Sequence, residues 1–491
     1  MKYIGIDLGS TGVKIIVADS SGNVLADINQ KFSRSVTIKN LLSGRSEQNP
    51  AIWVNAVITG LIRLEKLLRA KSLGLNDVKA ICTDSTSGTI IPVDEKGNPL
   101  YNAIMYNDNR ARDETIRILR CSGVLMDKLG YKFKPSFSLP KILWLKENKP
   151  RIHEQVFKYL HANDFLVGML TGEFYHSDAS NCLKAGYDFV DNEWPLFIES
   201  ELGLSIDLLP EVNRPGQQLG TTSKNLENFT SVPEGIAVLA GATDSTMALV
   251  ASGASKVGDA FSSLGTTLVT RVLTSKLIKD PHGRFYCHKL PSKEDIYLPG
   301  GASSVGSECL QVEFPNADYQ SLDKEAMEMF PTDIITYPLA RKGERFPFNN
   351  PDARSFLVGR VKKPIEKYAA LLEGVAHVER ACYQVLESSG AKITGKSIFT
   401  IGGGAKSLPW LQIRADVMQK KIVRPKIIEA AYGCVLVCIS QMEHNGHLNK
   451  AIECCVTPDV SLSPRASLKE SIERKHQQFL SNVKEKYNAV L

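Results

Sequence analysis

The sequence predicts two α/β domains in tandem, and three observations lead to this prediction. A strand, a glycine-containing turn and a second strand open the chain at residues 3–19, and a similar unit recurs at 259–274. Segments of alternating helical and strand periodicity follow each unit. The length of 491 residues is also more than one ordinary domain needs. We therefore predict α/β domains over residues 1–245 and 246–491.

The first domain is predicted from the residue patterns up to about residue 245. In chain order these are the unit at 3–19, a strand VLADINQKF after a turn at 20–23, an amphipathic helix at 51–72, a buried strand at 78–84, a short hairpin IIPVDEKGNPL, a mainly helical stretch at about 110–190 and a polar loop at 211–232. The loop leads into GIAVLAGATDSTMALVASGAS, a strand that runs into a helix.

The second domain is predicted from the same kinds of pattern. In chain order these are a strand, a Gly-Thr turn and a strand at 261–274, a long helix at 364–389, a strand SIFTI that ends in a glycine cluster, a helix LPWLQIRADVMQ and a charged amphipathic helix at 466–488. The last helix shows no sequence preference for packing on either domain.

The composition excludes several classes of protein. The net charge is +6, and the basic residues are scattered, whereas a nucleic-acid interface needs them clustered on one face. No stretch reaches the roughly 20 apolar residues that span a bilayer, and Asp7 interrupts the first apolar run too early for a signal peptide. The ten cysteines include no CxxC pair, which favours reduced core thiols. We expect a cytoplasmic protein, a monomer or homodimer, that binds neither nucleic acid nor membrane.

The segment IDLGSTGVK places Asp7 at the end of a strand and Gly9 to Gly12 in the turn after it. Glycines let backbone N–H groups approach an anion, and a carboxylate at a strand end can hold a hydrated Mg²⁺. The pattern fits either a phosphate-binding turn or a plain glycine-rich β-hairpin. It is neither a Walker A loop nor GxGxxG opening a helix, so a Rossmann dehydrogenase is not supported.

Two further glycine turns have the same ambiguity. LGTT at 264–267 is either a second phosphate turn or an ordinary tight turn. TIGGGAKS at 400–407 lies between a strand and a helix, where it forms either a platform for a nucleotide or a site of close strand–helix packing. Three such turns, two of them on similar units, favour binding of a phosphorylated ligand.

A single acid, Asp244, lies where the apolar strand GIAVLAGA gives way to a helix. It either caps the helix or acts as a general base that accepts a proton from a substrate hydroxyl. Ser245 and Thr246 offer hydroxyls that could satisfy the helix start in its place.

The chain resembles the FGGY carbohydrate kinases over nearly its whole length. The segment SFSLPKILWLKEN at 136–148 fits a signature of that family. Other matching segments occur in the same order, namely SEQNP (46–50), YNDNR (106–110), LTGEF (170–174), GERFPFNNP (343–351) and GGGAKS. The resemblance implies two actin-like (ribonuclease-H-like) domains with an ATP cleft between them, and an ATP- and Mg²⁺-dependent transfer of phosphate to a sugar.

The resemblance also implies roles for individual residues. Asp244 is expected to be the catalytic base, and Asp7 the acid near Mg²⁺ and the reacting groups. The residues expected to bind ATP are Gly9, Ser10, Thr11 and Gly12 in the first turn, Gly265, Thr266 and Thr267 in the second, and Gly403, Gly404, Ser407 and Trp410 around the adenosine. Ser407 departs from the family pattern, since many relatives have Asn there, and so does Arg360 after Gly359.

The acceptor is expected to be a ketopentose that is phosphorylated at its terminal C5 hydroxyl. Thr86 and Ser87 stand where xylulokinases generally carry Met-His, and the segment resembles kinases associated with D-ribulose. D-ribulose is therefore the first expectation and D-xylulose or another FGGY sugar or polyol the alternative. Asn107 and Asp108 are candidate sugar ligands or, equally, an Asx turn.

A different class of protein shares this fold and these turns. Actin-like and Hsp70-like proteins are ATP-dependent switches that do not act on sugars. They lack a sugar-facing base and the signature at 136–148, so a kinase is favoured over a switch.

Overall fold

The computed structural model describes residues 1–32, 37–40 and 44–490. They form two compact units. The first consists of Met1–Ala251, His288–Asp295 and Glu429–Cys455, and the second of Ser252–Cys287, Ile296–Ile428 and Val456–Leu491. The residues at 429–455, which a single cut near residue 245 would leave with the second domain, thus pack in the first unit.

Both units combine strands and helices. The strands are β1 (Lys2–Leu8), β2 (Gly12–Asp19), β3 (Val24–Lys31), β4 (Thr37–Asn40), β5 (Arg45–Gln48), β6 (Val78–Ser85), β7 (Ile90–Val93), β8 (Ala103–Ile104), β9 (Lys158–His161), β10 (His176–Asp178), β11 (Glu211–Asn213), β12 (Gln218–Thr221), β13 (Ala237–Thr243), β14 (Ala260–Leu264), β15 (Leu268–Val272), β16 (Tyr286–Lys289), β17 (Tyr297–Ser303), β18 (Ile335–Tyr337), β19 (Phe356–Val358), β20 (Ser397–Ile401), β21 (Lys421–Pro425) and β22 (Pro458–Leu462). The helices are α1 (Ala51–Ala70), α2 (Arg112–Cys121), α3 (Gly123–Leu129), α4 (Ser138–Asn148), α5 (Pro150–His153), α6 (Ala162–Thr171), α7 (Ala179–Cys182), α8 (Phe197–Ser200), α9 (Lys224–Thr230), α10 (Asp244–Ser252), α11 (Glu308–Glu313), α12 (Tyr319–Met329), α13 (Pro364–Ser388), α14 (Leu408–Met418), α15 (Ala430–His444), α16 (Leu448–Cys455) and α17 (Lys469–Tyr487).

The main sheet of the first unit has the strand order β12-β13-β6-β1-β2-β3. Its centre is parallel, because β1 pairs in parallel with β6 and β6 with β13, while β1, β2 and β3 form an antiparallel meander. Parallel strands end at the same edge of a sheet, so residues that follow β1, β6 and β13 come together.

Helix α15 packs on this sheet, against β1 and β6. The approach is close enough to require glycine: a Cβ atom on Gly5 would lie 1.9 Å from the Ala431 carbonyl oxygen, and one on Gly433 would lie 2.1 Å from that of Met247. These contacts explain why a segment from late in the chain belongs to the first unit.

The second unit contains a sheet in which β17, β15, β14, β20, β21 and β22 are successive neighbours. Strand β14 pairs antiparallel with β15 and in parallel with β20. The long helix α13 contributes many of the buried apolar residues of this unit, together with α14. The tail helix α17 packs on the second unit, against α13 and α14.

Most of the predicted elements are confirmed, including both strand–turn–strand units, the strand-to-helix junction before α10 and the helices α1, α13, α14 and α17. The polar loop predicted at 211–232 is wrong in part, because it contains β11, β12 and α9. Among the described strands, β12 pairs only with β13, at the sheet edge, where polar residues are tolerated. Helix α9 is capped by Ser223, whose Oγ accepts from the Leu226 N–H at 3.2 Å.

All ten cysteines are free thiols, and most are buried. Within the described residues, no helix combines the length and the apolar character needed to cross a membrane.

Candidate active site

Three acidic residues meet at one edge of the main sheet of the first unit. Asp7 on β1 lies beside Asp84 on β6 in the strand register, and β13 places Ala242 beside Asp84 and ends one residue before Asp244. The sequence pattern indicated Asp7 and Asp244, but not Asp84. The polar run TDSTS after a buried strand was the available signal, and only the strand order brings it to the other two acids.

The carboxyl groups of this cluster influence one another strongly. Burial, and next the negative charge of Asp244, raise the pKa of Asp7 to about 6, while Asp84 and Lys14 oppose the rise. Burial raises the pKa of Asp84 well above its ordinary value, and the charges of Asp7 and Asp244 add to this. The raised pKa favours the protonated form of Asp84, and protonation there would limit the negative charge of the cluster.

Two residues that the sequence pattern did not indicate adjoin the cluster. Lys14 lies beside Asp7 in the β1–β2 register and forms an ion pair with Glu429. Cys434 of α15 donates from its thiol to Asp84 Oδ2 at 3.1 Å. Helix α15, which packs on β1 and β6, thus contacts the Asp84 side chain through Cys434.

Asp244 is the first residue of α10 and is partly exposed. Its Oδ1 accepts a hydrogen bond from the Ser245 N–H at 2.6 Å. The hydroxyls of Thr243 and Thr246 lie 3.1 Å apart across the helix start. The carboxylate is thus held at the strand–helix junction, between Thr243 at the end of β13 and Thr246 in the first turn of α10.

The first glycine turn connects β1 and β2. The Gly9 N–H donates to the Gly12 carbonyl oxygen at 3.0 Å, which closes the turn. Gln48 supports it from outside: its Nε2 donates to the Ser10 carbonyl oxygen at 2.9 Å, and its Oε1 accepts from the Trp53 indole at 2.8 Å. Thr11 is exposed at the tip. Gln48 belongs to the SEQNP segment, whose structural role the sequence alone did not reveal.

The second unit carries the other two turns, and they pack together. The Gly265 N–H donates to the Thr267 carbonyl oxygen at 3.0 Å, and Ser307 donates from both N–H and Oγ to the Gly265 carbonyl oxygen at 2.8 Å. Gly402 has φ +96°, and a Cβ atom on it would lie 2.5 Å from the Leu264 carbonyl oxygen. Glycine at this position therefore allows the glycine cluster to lie directly against the turn that carries Thr266.

The glycine cluster has one open side. A Cβ atom on Gly403 would meet nothing within 4 Å, and one on Gly265 would approach only the Thr267 carbonyl oxygen, at 3.9 Å. In the first unit, a Cβ atom on Gly9 would likewise meet only the Gly12 carbonyl oxygen, at 3.4 Å. Open backbone of this kind suits the close approach of phosphate and ribose groups, so these turns fit a nucleotide.

The structure gives Ser407 and Trp410 roles other than a contact with a base. Ser407 caps α14, since its Oγ accepts from the Trp410 N–H at 3.1 Å. Trp410 is 2% exposed, and its indole donates to the Leu372 carbonyl oxygen at 3.0 Å. Its ring lies against Gly404, where an added Cβ would be 3.1 Å away. We therefore assign Trp410 to the core beneath the glycine cluster.

The loop after β6 carries Thr86 and Ser87. The Thr86 hydroxyl lies 3.2 Å from that of Thr89. The hydroxyl oxygens of Ser85 and Ser87 are buried, and neither has a hydrogen-bond partner among the described residues. Buried hydroxyls without partners are uncommon, and a ligand hydroxyl would satisfy them.

Asp108 is a structural anchor of the second candidate sugar loop. It is fully buried, its Oδ1 accepts from the Arg110 N–H at 3.0 Å, and its Oδ2 accepts from the Ser46 N–H at 2.5 Å. The Arg110 guanidinium binds both oxygens. These contacts make Asp108 part of the architecture of the loop, and its role in sugar binding stays a prediction. Asn107 beside it is exposed.

No group of three or more His, Cys, Asp or Glu side chains in the described ranges is arranged to hold a metal ion. Mg²⁺ keeps most of its waters and needs one or two carboxylates besides substrate phosphates, and Asp7 offers such a carboxylate.

The α/β units, with their antiparallel glycine turns and strand-end carboxylates, have the fold of the actin-like ATPases. The chain belongs to the FGGY family of carbohydrate kinases. The model of the family's N-terminal domain matches residues 2–251, and that of its C-terminal domain matches residues 260–442. The protein is thus a phosphotransferase with an alcohol group as acceptor.

Individual relatives agree with this assignment. The chain is 26% identical to a xylulose kinase of Bacillus subtilis over 86% of its own length and 85% of the relative's. It is 28% identical to a xylulose kinase of Escherichia coli, with the same coverage of 86% and 85%. A crystal structure described as a xyloylose kinase from Brucella ovis superposes with a TM-score of 0.87 at 24% identity and covers 99% of both chains, which supports the fold.

Proposed function

We propose that this chain uses ATP and Mg²⁺ to phosphorylate the terminal C5 hydroxyl of a ketopentose, with D-ribulose as the first candidate acceptor. The observation that carries the proposal is the position of Asp244. It is a partly exposed carboxylate at a strand–helix junction, beside two carboxyl groups of raised pKa and in the same unit as the loop that bears Ser87.

Asp244 is suited to accept a proton from the acceptor hydroxyl. Asp84 is fully buried, whereas Asp244 is partly exposed, so Asp244 is the more accessible of the two to an acceptor hydroxyl. Phosphoryl transfer depends chiefly on positioning and charge stabilisation, and a carboxylate that orients the hydroxyl and takes its proton meets that need.

The glycine turns are proposed to hold the triphosphate through backbone groups. The first turn does so in the first unit, with Thr11 at its exposed tip, and the turn at 264–267 does so in the second, while Gly403 and Gly404 lie under the adenosine. Mg²⁺, when bound, would neutralise charge on the phosphates, and Asp7 would hold it through its carboxylate and intervening waters.

The loop after β6 is the basis for placing D-ribulose first. Its side chains are the hydroxyls of Thr86 and Ser87, where xylulokinases generally carry Met-His, and the Ser87 hydroxyl has no partner in the described part of the chain. Small hydroxyls and a Met-His pair offer different hydrogen bonds to a sugar, and differences of one hydroxyl are discriminated by such bonds.

D-xylulose is the second candidate, because the Bacillus subtilis and Escherichia coli relatives are named xylulose kinases. Sequence identities of 26% and 28% support membership of the same family more firmly than they support use of the same acceptor sugar.

A sugar panel tests the proposal. Purified protein with Mg-ATP is offered D-ribulose, D-xylulose, L-ribulose, D-ribose, glycerol and gluconate, and both ADP release and the sugar phosphate are measured. The proposal expects a ketopentose 5-phosphate in one-to-one ratio with ADP, with the largest kcat/KM for D-ribulose. ADP release that does not depend on sugar, with no sugar phosphate, would instead favour an ATP-dependent switch. A largest kcat/KM for glycerol or gluconate would overturn the ketopentose assignment.

A further inference from the structure

A buried lysine joins the two loops that carry the candidate sugar ligands. Lys141 belongs to α4, and its side chain is 0% exposed. Its Nζ donates to the Gly88 carbonyl oxygen at 2.9 Å and to the Met105 carbonyl oxygen at 2.7 Å. Gly88 follows Ser87, and Met105 leads into Asn107, so one amino group links both loops.

A lysine at this position is costly to bury. Burial lowers the pKa of Lys141 well below its ordinary value; the charge of Asp108 opposes this shift, and those of Lys184 and Arg110 add to it. An apolar side chain of similar length would fill the space without this penalty, as replacements of buried ionic groups often show. An apolar side chain could not, however, donate the two hydrogen bonds by which Lys141 links the separate loops.

The loop after β6 is held at a second point as well. Lys184 Nζ donates to the Ser87 carbonyl oxygen at 3.1 Å. Gly88 adopts φ +92°, and a Cβ atom on it would lie 3.1 Å from Lys184 Cδ and 3.4 Å from the Ser136 carbonyl oxygen. The loop backbone is thus fixed by two amino groups, while the Ser87 hydroxyl has no partner among the residues described.

The loop before Asn107 is also held from α4. The Arg110 guanidinium binds Asp108 and lies over the Trp144 ring, 4.7 Å from its centroid. Trp144 is one turn after Lys141 on the same helix. Helix α4 therefore contacts one loop directly through Lys141 and the other through both Lys141 and Trp144.

We propose that Lys141 is a positioning residue of the sugar site, whose two hydrogen bonds set the separation of the loops bearing Ser87 and Asn107. This inference rests on the proposed function, because it assumes that these loops bind the acceptor. Lys141 itself contacts neither sugar nor nucleotide. Its removal should therefore weaken sugar binding and selectivity more than nucleotide binding.

The chain offers a matched control on the same helix. Lys146 also donates from Nζ to two backbone carbonyl oxygens, that of Leu202 at 3.1 Å and that of Gly203. Those carbonyls belong to a loop with no candidate sugar ligand. A Lys146→Met variant thus removes the same kind of contact from the same helix without touching the two sugar loops.

The experiment compares the wild type with Lys141→Met, Lys184→Met and Lys146→Met. For each protein, KM and kcat are measured with the best acceptor sugar at saturating ATP and with ATP at saturating sugar, together with the ratio of kcat/KM for D-ribulose and D-xylulose. Thermal unfolding reports folding. Lys141→Met is expected to raise the sugar KM by about tenfold or more and to change the sugar ratio, while the KM for ATP stays within about twofold. Lys146→Met is expected to leave the sugar KM, the ATP KM and the ratio of kcat/KM for the two sugars near the wild-type values.

Each outcome of these measurements either supports or overturns the positioning role of Lys141. A sugar KM within about twofold of the wild type in folded Lys141→Met, parallel rises in both KM values, or an equal effect of Lys146→Met would overturn the inference. If Lys141→Met does not fold, Lys184→Met decides, with a rise in sugar KM alone as the supporting result and no change as the contrary one. A wild type that phosphorylates no ketopentose would overturn the proposed function itself, which is a different outcome from a working enzyme indifferent to Lys141.

Discussion

The Cys434 thiol donates a hydrogen bond to Asp84 Oδ2 at 3.1 Å, although 350 positions of sequence separate the two residues. The contact exists because α15 packs closely on β1 at Gly5. It places a weak donor beside a carboxyl group whose pKa is raised by burial and by the charges of two neighbouring acids. The carboxylate cluster thus has one buried member, Asp84, and two partly exposed ones, Asp7 and Asp244.

Replacement of Asp84 tests whether its carboxyl group is neutral. Asparagine has the shape of a protonated aspartate, so Asp84→Asn should change the free energy of unfolding by no more than about 1 kcal/mol. Asp84→Ala also leaves a cavity and removes the hydrogen bond from the Cys434 thiol, so it should cost about 2 kcal/mol or more. Urea unfolding measures both values. Equal losses in the two variants would show that Asp84 is ionised in the folded protein.

Replacement of Asp244 tests its role as the base. General base catalysis contributes about 10²- to 10⁴-fold, so Asp244→Ala and Asp244→Asn should lower kcat by that order while ATP still binds. Single-turnover kinetics measures the rate of phosphoryl transfer, and nucleotide titration measures the binding of ATP. A kcat within about tenfold of the wild type would remove Asp244 from the mechanism. Loss of nucleotide binding together with kcat would point instead to a structural defect.

Exchange of the loop residues tests their part in sugar selectivity. The double variant Thr86→Met, Ser87→His introduces the side chains that xylulokinases generally carry. It should shift the ratio of kcat/KM for D-xylulose over D-ribulose upward by about tenfold, because a few hydrogen bonds decide between sugars that differ at one carbon. Thr89→Ser, which keeps the hydroxyl near Thr86, serves as the control. An unchanged ratio would exclude this loop from the selectivity of the enzyme.

The local elements around the site could be predicted from the sequence because their signals are local. Apolar strands interrupted by glycine marked the turns after β1 and β14, and the change from GIAVLAGA to a helical pattern marked Asp244 at the start of α10. A residue at such a junction can be recognised without knowing its neighbours in space.

The composition of the carboxylate cluster could not be predicted, because it depends on contacts between distant segments. Asp84 joins Asp7 through the parallel pairing of β6 with β1. Cys434 contacts Asp84 because α15, a helix from late in the chain, packs on β1 and β6. Trp410 is a second case, since a residue near a binding motif was expected beside the ligand, and its burial at 2% exposure in the core could not be predicted from the motif alone.

The packing of the glycine cluster against the second turn makes Gly402 sensitive to substitution. Gly402→Ala adds a Cβ atom 2.5 Å from the Leu264 carbonyl oxygen at a residue with φ +96°. Both the strain and the clash should lower the free energy of unfolding, by about 2 kcal/mol or more, and raise the KM for ATP. Gly403→Ala is the control for stability, since its Cβ meets nothing within 4 Å. Similar stability of the two variants would contradict the close contact at Gly402.

The C-terminal helix should make stability depend on pH through a pair of buried histidines. His377 Nδ1 lies 3.0 Å from His476 Nδ1, and His476 Nε2 lies 2.9 Å from Gln384 Oε1. Two imidazole nitrogens at this distance need one acceptor, so both rings cannot be protonated together. Burial first, and then the charges of His377 and Arg380, lower the pKa of His476 from 6.5 to about 2.

The sign of the effect follows from proton binding in the two states. Above about pH 6.5 His476 is neutral both in the folded and in the unfolded chain and contributes no pH dependence. Below that value the unfolded chain gains a proton that the folded chain lacks, so the free energy of unfolding falls by about 1.4 kcal/mol per pH unit. His476→Gln should therefore show a shallower loss of stability between about pH 7 and 5 than the wild type or the control His282→Gln, whose side chain is exposed. Denaturant unfolding at several pH values measures the slope, and equal slopes for wild type and His476→Gln would show that this histidine becomes protonated without unfolding.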